Sequence, residues 1–596
     1  MLCELVEYSK HHGLAGPGFT PKTVKWAIQA TANGCLMGAV PLGDLSDKKN
    51  LGREFAVCPE TSGMNAGGKS HFLVETLETV LLMCKDEKKR PAFEAKHAFF
   101  VQQLRDATPV CREMGIFADL IEDEASRARM IEQLQQFKAK PTDKITLMIE
   151  ERDPPFLVDD PVWHAWWDNY RTTLGKASED AAKPKTRRST KQAAVRMRCF
   201  VTGEMVEPAA THPKITELAD VGASAMGASL VSFDKDSLCS YGLSQSANAA
   251  MSEASAAAYR AALNQILADR GHRLAGAKVA YWFDKKVPEV YDPGKPLFSL
   301  SDEDSDGKQD ERNALAKLRE LLDAIRSGKI PEFAENNHYY ALTLSGNGGR
   351  VVIRDWMTGS FKEFLENVVG WFDDLAIVNR RGDGLAPTPK FMAVLGGLVR
   401  DLKDVPGPLA ASMWAAAVHH RPMPRTALAR AIDRARIDVI ADNPPNHARM
   451  GFLKAYHKRI GDTHMTEYLN ENHPSKAYQC GRLMAVLANL QYAALGDVGA
   501  GLVQRYYAAA SATPALVLGR LTRLSQFHLG KLGKEKKGLA ITLDRQIADI
   551  WAKIKDSLPR TLSLDDQSLF AMGFYQQKAQ RFDGKAADGE KSDAAE

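Results

Sequence analysis

The chain has 596 residues, 44% hydrophobic and 26% charged, with 78 basic against 74 acidic side chains and a net charge of +4. These proportions suit a soluble globular protein, and the length exceeds what one core can fill, so several domains are expected. No apolar run reaches the ~18 residues of a membrane span. The N-terminus carries Glu4 and Glu7 with no apolar signal region, and the eight cysteines contain no C-x-x-C pair, which together read as a cytoplasmic chain with reduced thiols and no structural zinc.

Residues 1–175 read as a mixed α/β region. The apolar segments Lys25-Trp-Ala-Ile-Gln and Lys144-Ile-Thr-Leu-Met-Ile149 predict strands, and residues 92–137 predict helix. Trp163, Trp166, Trp167 and Tyr170 fall at i, i+3, i+4 and i+7, one helix face that reads as core.

Within this region Gly63-Met-Asn-Ala-Gly-Gly-Lys-Ser70 fits G-x-x-x-x-G-K-[ST], the phosphate loop of nucleotide triphosphatases. That chemistry needs a buried strand running into the first glycine and a helix starting at the Lys-Ser end, where backbone N–H groups meet the phosphates. Here Pro59, Glu60, Thr61 and Ser62 separate the apolar run Phe55-Ala-Val-Cys58 from Gly63, so the strand is expected to end early. The stretch His71–Met83 fits either a strand followed by a helix or one helix. The P-loop NTPase, using Lys69 and Ser70, is the rival reading. The alternative is a donor-rich loop, with Asn65, Gly67, Gly68, Lys69 and Ser70 as contacts to DNA base edges or phosphates.

Residues 176–191 predict a basic linker. Residues 183–198 hold seven basic groups and no acid, among them Lys183, Lys185, Arg187 and Arg188, which suits phosphate contact as well as a solvated linker. A middle α/β region spans 192–380. In it Leu230 to Phe233 predicts a strand, and Ser252 an N-cap for a helix to about Leu267. The loop between offers Ser240, Tyr241, Gln245 and Asn248, read as a hydrogen-bonded structural loop with ligand contact as the alternative. Ser301–Glu311 predicts an acidic loop. Arg350 and Arg354 share a face of an expected strand. From 381 to 577 a helical region is expected, broken near Pro422, Pro424 and Asn443-Pro-Pro445, and 578–596 reads as a disordered tail. Residues 501–540 hold seven basic side chains against Glu535; Arg505, Arg520, Arg523, Lys531, Lys534 and Lys537 could follow a nucleic-acid backbone. The fold class is therefore α+β: mixed α/β N-terminal and middle regions followed by a helical C-terminal bundle.

Motifs for catalysis are missing. G-x-S-x-G and H-E-x-x-H do not occur, the pairs His11-His12 and His419-His420 are adjacent rather than i, i+4, and no compact carboxylate set suggests a two-metal nuclease. No enzymatic activity, cofactor or metal is expected.

Several blocks in order carry a family resemblance: Cys199-Phe-Val-Thr-Gly203, His212-Pro-Lys-Ile215, Ala228 to Asn264, Val279-Ala-Tyr-Trp-Phe-Asp284, Tyr339 to Arg354 and Ala477-Tyr-Gln-Cys-Gly-Arg-Leu-Met-Ala-Val486. Together they resemble the large subunit of the type I-C (Dvulg subtype) CRISPR interference complex, Cascade. The resemblance implies a non-catalytic subunit of an RNA-guided complex. Such a subunit recognises a protospacer-adjacent motif in double-stranded target DNA and supports strand separation and R-loop formation. The partners implied are a guide RNA complex with backbone and guide-end subunits, and a helicase-nuclease recruited in trans. A small subunit is also implied, translated from within the same gene, with Met484 as candidate start and Met465 as runner-up. Where family members tend to show an Asp-Asn pair just beyond the glycine loop, this chain has Glu75 and Thr76.

Overall fold

The computed structural model describes residues 1–44, 52–60, 68–84, 87–181, 196–233, 235–298, 305–555 and 557–593. They divide into two compact units, an N-terminal unit of residues 1–217 with 226–265 and a C-terminal unit of residues 218–225 with 266–596.

The N-terminal unit opens with helix α1 (Leu2–His11) and strands β1 (Phe19–Val24), β2 (Trp26–Ala30), β3 (Leu36–Pro41) and β4 (Arg53–Pro59). Strand β5 (Glu75–Thr76) and the one-turn α2 (Leu77–Val80) follow, so His71–Met83 resolves as strand then helix. Three helices, α3 (Arg90–Ala107), α4 (Arg112–Glu122) and α5 (Glu124–Gln136), then lead to β6 (Lys144–Ile149) and α6 (His164–Ala181). Strands β3, β2, β6 and β5 form a sheet in that order, β2 parallel to β6 with Trp26 opposite Ile145, while β1 and β4 make a separate antiparallel pair. The tryptophan face of α6 is core, as its spacing predicts. Trp163 and Trp167 are fully buried, their indole N–H groups donate to Leu157 O at 2.8 Å and Gly18 O at 2.9 Å, and Phe72 stacks on Trp167.

The unit closes with short strands β7 (Met197–Arg198), β8 (Met205–Val206), β9 (Lys214–Ile215) and β10 (Ala228–Ser229) and with helix α7 (Glu253–Arg270), of which residues to 265 belong here. Ser252 caps α7, its hydroxyl accepting from Ser255 N at 3.1 Å. The strand expected at Leu230–Phe233 does not form; β10 stops at Ser229. Its partner explains this. Ala228 pairs with Ile215 and Ser229 with Lys214, so the next rung would fall on Pro213, which has no N–H to donate.

In the C-terminal unit, β11 (His272–Leu274), β12 (Ala277–Phe283), β13 (His338–Asn347) and β14 (Arg350–Ser360) are antiparallel neighbours in that order. Helices α8 (Lys295–Phe298) and α9 (Ser305–Arg326) lie between β12 and β13. The acidic stretch expected as a loop to residue 311 is helical from Ser305, because buried Leu315, Leu318, Leu322 and Ile325 carry a helical period through α9. After β14, Ser360 and Glu363 form a capping box that starts α10 (Phe361–Leu375). A helical array follows: α11 (Phe391–Gly397), α12 (Gly407–Val418), α13 (Arg425–Ile440), α14 (His447–Arg459), α15 (Lys476–Leu495), α16 (Leu502–Ala512), α17 (Pro514–Glu535), α18 (Lys537–Ile554) and α19 (Leu564–Asp593). Helix α19 runs through residues 578–593, which composition alone reads as disordered. The reason is that an anchored helix whose Phe570–Tyr575 are buried propagates cheaply into an Ala- and Lys-containing sequence.

One core spans this unit from Leu274 to Ala579. At its centre α15 and α19 meet backbone to backbone. A Cβ on Gly481 would lie 2.0 Å from Phe570 O, and one on Gly573 would lie 2.1 Å from Tyr478 O, so only glycine permits the approach.

Candidate nucleic-acid interface

The glycine loop lacks the surroundings of a nucleotide site. Strand β4 ends at Pro59 and pairs antiparallel with β1, Phe19 opposite Pro59, rather than lying in a parallel sheet. Residues 68–74 are not helical, and the next helix begins only at Leu77. No helix N-terminus therefore meets Lys69 and Ser70, and the phosphate-loop chemistry has nothing to work with.

Asn65 and Gly67 lie outside the described residues. Gly68 takes φ +78°, a conformation favouring glycine, and Lys69 is half-buried. Ser70 is 1% exposed with its hydroxyl 3.5 Å from Gln103 Oε1, so it is turned into the protein and cannot serve as the DNA contact its sequence position suggests. Glu75, where the family resemblance leads one to look for an Asp, accepts from the backbone N–H groups of His71 at 3.0 Å and Thr76 at 2.9 Å. It holds the loop exit in shape.

The N-terminal unit contains an open cleft of about 790 Å³, with Glu60, just after the end of β4, in its wall. Each wall supplies a cation: Lys22 from β1, Lys144 from β6, Arg171 from α6, Lys214 from β9 and Arg260 from α7. Two carboxylates, Glu60 and Glu253, also line it. Both are engaged. Arg171 Nη1 donates to Glu253 Oε1 at 2.5 Å, and Arg260 Nη1 lies 3.7 Å from Glu60 Oε2 while Nη2 donates to Phe19 O at 2.9 Å. Gly18, at φ +84°, lets Arg171 approach, since a Cβ there would sit 2.7 Å from Arg171 Nε. Lys22, Lys144 and Lys214 have no carboxylate within salt-bridge distance among the described residues; Lys22 Nζ donates only to Pro59 O at 3.3 Å.

Burial governs the electrostatics around Lys22 and His71. Burial pushes the Lys22 ammonium below its ordinary range, against a partial opposing pull from Glu60. Burial, aided by the charges of Lys22 and Lys144, holds His71 down to about 4. His212 is 7% exposed and accepts or donates at Nδ1 with Tyr259 Oη at 3.1 Å, while its Nε2 and Arg260 Nε are buried without a hydrogen-bond partner.

A second basic face lies in the C-terminal unit. On α17, Leu516, Arg520, Arg523, Phe527, Lys531 and Lys534 recur at spacings of three and four, all exposed, with Leu516 at 77% and Phe527 at 76%. Arg505 on α16 and Lys537 at the start of α18 are also exposed. Arg354 is the extra residue where the β13–β14 register shifts, and its Nε donates to Ser345 Oγ at 2.8 Å; Arg350 pairs with Asn347 at the hairpin end. Lys183, Lys185, Arg187 and Arg188 lie outside the described residues.

No group of three or more His, Cys, Asp or Glu side chains placed to hold a metal occurs among the described residues, and His419 of the adjacent pair is bound by Tyr339 Oη at 2.5 Å. Among them, too, no helix is long and apolar enough to cross a membrane.

These features describe a protein with basic, phosphate-suited faces on an α+β scaffold. Residues 3–582 match the family model described as CRISPR-associated protein (Cas_Csd1), and the chain belongs to that family. No curated protein matches the sequence.

The cleft was not readable in advance, because its five cations are dispersed between positions 22 and 260 and no local cluster betrays them. One signal was available. Lys214, Gln245, Arg260 and Asn264 all fall in blocks that carry the family resemblance, and all line the cleft.

Proposed function

We propose that the chain is the non-catalytic large subunit of an RNA-guided CRISPR surveillance complex of the type I-C kind. In this reading it recognises the protospacer-adjacent motif in duplex DNA and supports strand separation. Its partners are the guide RNA complex, a small subunit from its own C-terminal region and a helicase-nuclease recruited in trans. The observation that carries the reading is the family membership over nearly the whole chain, joined to a basic cleft in the N-terminal unit. Base pairing to the guide reads the target, so the protein need read only the short flanking motif and the phosphate backbone.

Asn65 and Lys69 are the candidates for motif contact, with Gly67 and Gly68 allowing close backbone approach. The test is binding of the assembled complex to target duplexes across a library of flanking motifs. Asn65→Ala with Lys69→Ala should weaken binding to motif-bearing duplex much more than to pre-melted target, and equal loss on both overturns motif reading by this loop. For the small subunit, Met484 is buried in the middle of α15, so a product starting there lacks Gly481 and its contact with α19. A product starting at Met465 keeps α15 whole. Changing each codon in turn and looking for the small co-purifying band decides between them.

A further inference from the structure

The loop from Ser240 to Asn248, two members of which line the basic cleft, places a tyrosine where tyrosine is costly. Tyr241 is 98% exposed, and its backbone sits at φ +55°. Gly242 follows at φ +71°, and Leu243 N donates to Ser240 O at 2.9 Å. Positive φ at both central residues with this hydrogen bond is the mirror-image turn in which Asn, Asp or Gly is normally found at the Tyr241 position. A bulky residue held left-handed stores strain, and such strain persists only where the surroundings enforce it.

Asn248 enforces it. Its Oδ1 accepts from Ser240 N at 2.8 Å, and its Nδ2 donates to Leu243 O at 3.1 Å and Gln245 O at 2.9 Å. One side chain thus braces both ends of the turn. Ser246 N then ties the loop to Ala210 O at 3.3 Å, and Ser246 is 2% exposed. Gln245 and Ser246 both line the cleft. Three residues separate Tyr241 from Gln245, so the Tyr241 Cα lies within about 14 Å of the Gln245 Cα even at full extension.

We propose that the cleft takes the phosphates of a single-stranded nucleic-acid segment and that Tyr241 is the platform on which one of its unpaired bases stacks. This rests on the nucleic-acid reading above and adds to it a strand type, a pathway and a stacking residue. The cations supply sequence-independent hold on the backbone, and Lys22, Lys144 and Lys214 have no carboxylate within salt-bridge distance among the described residues. An exposed aromatic on a braced turn beside such a groove suits an exposed base face, which duplex DNA does not offer along its length. Asn248 and the turn fix the backbone that carries the ring, so little backbone freedom is lost on binding.

The experiment uses the full chain and a DNA single strand of about 12 nucleotides, within known single-strand site sizes, carrying 2-aminopurine. Wild type should quench the 2-aminopurine on binding. Tyr241→Ala should lose the quenching and at least about fivefold in affinity, the low end of base–aromatic stacking, with the salt dependence unchanged. Tyr241→Phe should retain both. Lys22→Ala with Lys214→Ala should keep the quenching at saturation but reduce the slope of log K against log salt by about 1.4. Tyr241→Gly relieves the left-handed strain, so it should unfold at a higher temperature than wild type while failing to quench. Unchanged quenching and affinity in Tyr241→Ala overturns the platform, whatever the complex does with motif libraries. Equal affinity for single strand and duplex, or a slope unmoved by the lysine substitutions, overturns the cleft as a single-strand path. Motif discrimination that persists in the complex while these fail would leave the broader reading standing.

Discussion

The two units treat buried charge differently. In the C-terminal unit, Arg449 pairs with Asp438, Lys454, fully buried, lies 3.0 Å from Glu467, Arg459 Nε lies 2.8 Å from Asp374, and Arg482 donates to Gln577 Oε1 at 2.8 Å. These cations are answered by the chain itself and brace helices around one core. In the N-terminal unit, Lys22, Lys144 and Lys214 stand around a cleft whose two carboxylates, Glu60 and Glu253, lie against Arg260 and Arg171, and none of the three lysines has a carboxylate within salt-bridge distance among the described residues. A charge satisfied internally is structural, whereas a cluster left positive is suited to an external anion. The contrast separates a scaffold from a binding surface.

The sharpest way to break the scaffold is at the α15–α19 crossing. Gly481→Ala places a methyl 2.0 Å from Phe570 O, and backbone cannot yield as a side chain tip can. We expect a loss of about 3 kcal/mol or more, at the upper end of overpacking costs, read as a lowered urea midpoint. A loss below about 1 kcal/mol would mean the helices separate readily.

Acid should strike the scaffold next. Burial holds His457 down to about 4, with Nε2 bonded to Ser568 Oγ. The unfolded chain's histidine titrates near 6.5, so above that pH both states are neutral and nothing is lost. As pH falls from 6.5 to about 4 the unfolded state takes up the proton and the folded state does not, so stability declines, by up to about 3 kcal/mol for this group. His457→Gln should therefore lose less stability between pH 7 and pH 4.5 than wild type in parallel urea titrations. Identical pH profiles would contradict the assignment. His71 titrates in the same direction in the N-terminal unit, and His71→Gln separates its share.

How far this contrast was legible in the sequence depends on the range of the interactions. Strand β6 falls on Lys144–Ile149 as its apolar run predicts, the α6 tryptophans are core as their spacing predicts, and Ser252 caps α7 because a cap is a contact three residues long. Leu230–Phe233 failed because its outcome lay with Pro213, just before the partner strand β9, and Ser70 failed because Gln103, thirty-three residues on, draws it inward. The glycine loop matched a motif whose meaning resides in flanking elements that the chain does not supply. The cleft is a tertiary object, invisible to any window of neighbouring residues, whereas the braced Tyr241 turn is local, and Ser240, Tyr241, Gln245 and Asn248 mark it in the sequence as a hydrogen-bonded loop.

The stripe on α17 tests whether the C-terminal unit is scaffold alone. Replacing Arg520, Arg523, Lys531 and Lys534 by Gln should lower the salt slope for single-stranded DNA by close to 3, about 0.7 per phosphate contact, with motif preference unmoved. A shifted preference would place sequence reading in the helical unit and dissolve the division drawn above.

The smallest effect concerns the helix that lines the cleft. Ser252 Oγ is the acceptor for Ser255 N at the start of α7, whose Glu253 holds Arg171 and whose Arg260 reaches Phe19 O. Ser252→Ala should cost about 1 kcal/mol of stability. It should also loosen the first turn, so Arg171 loses part of its tether and the cleft becomes slightly more positive in effect. Ser252→Asp restores a cap acceptor and should recover the stability, adding a charge favourable to the helix N-terminus. Measured side by side, the Ala variant should bind a single strand no more weakly than wild type despite melting earlier. Weaker binding in step with lower stability would show that the cleft depends on α7 being rigid, and that its affinity comes from shape as much as from charge.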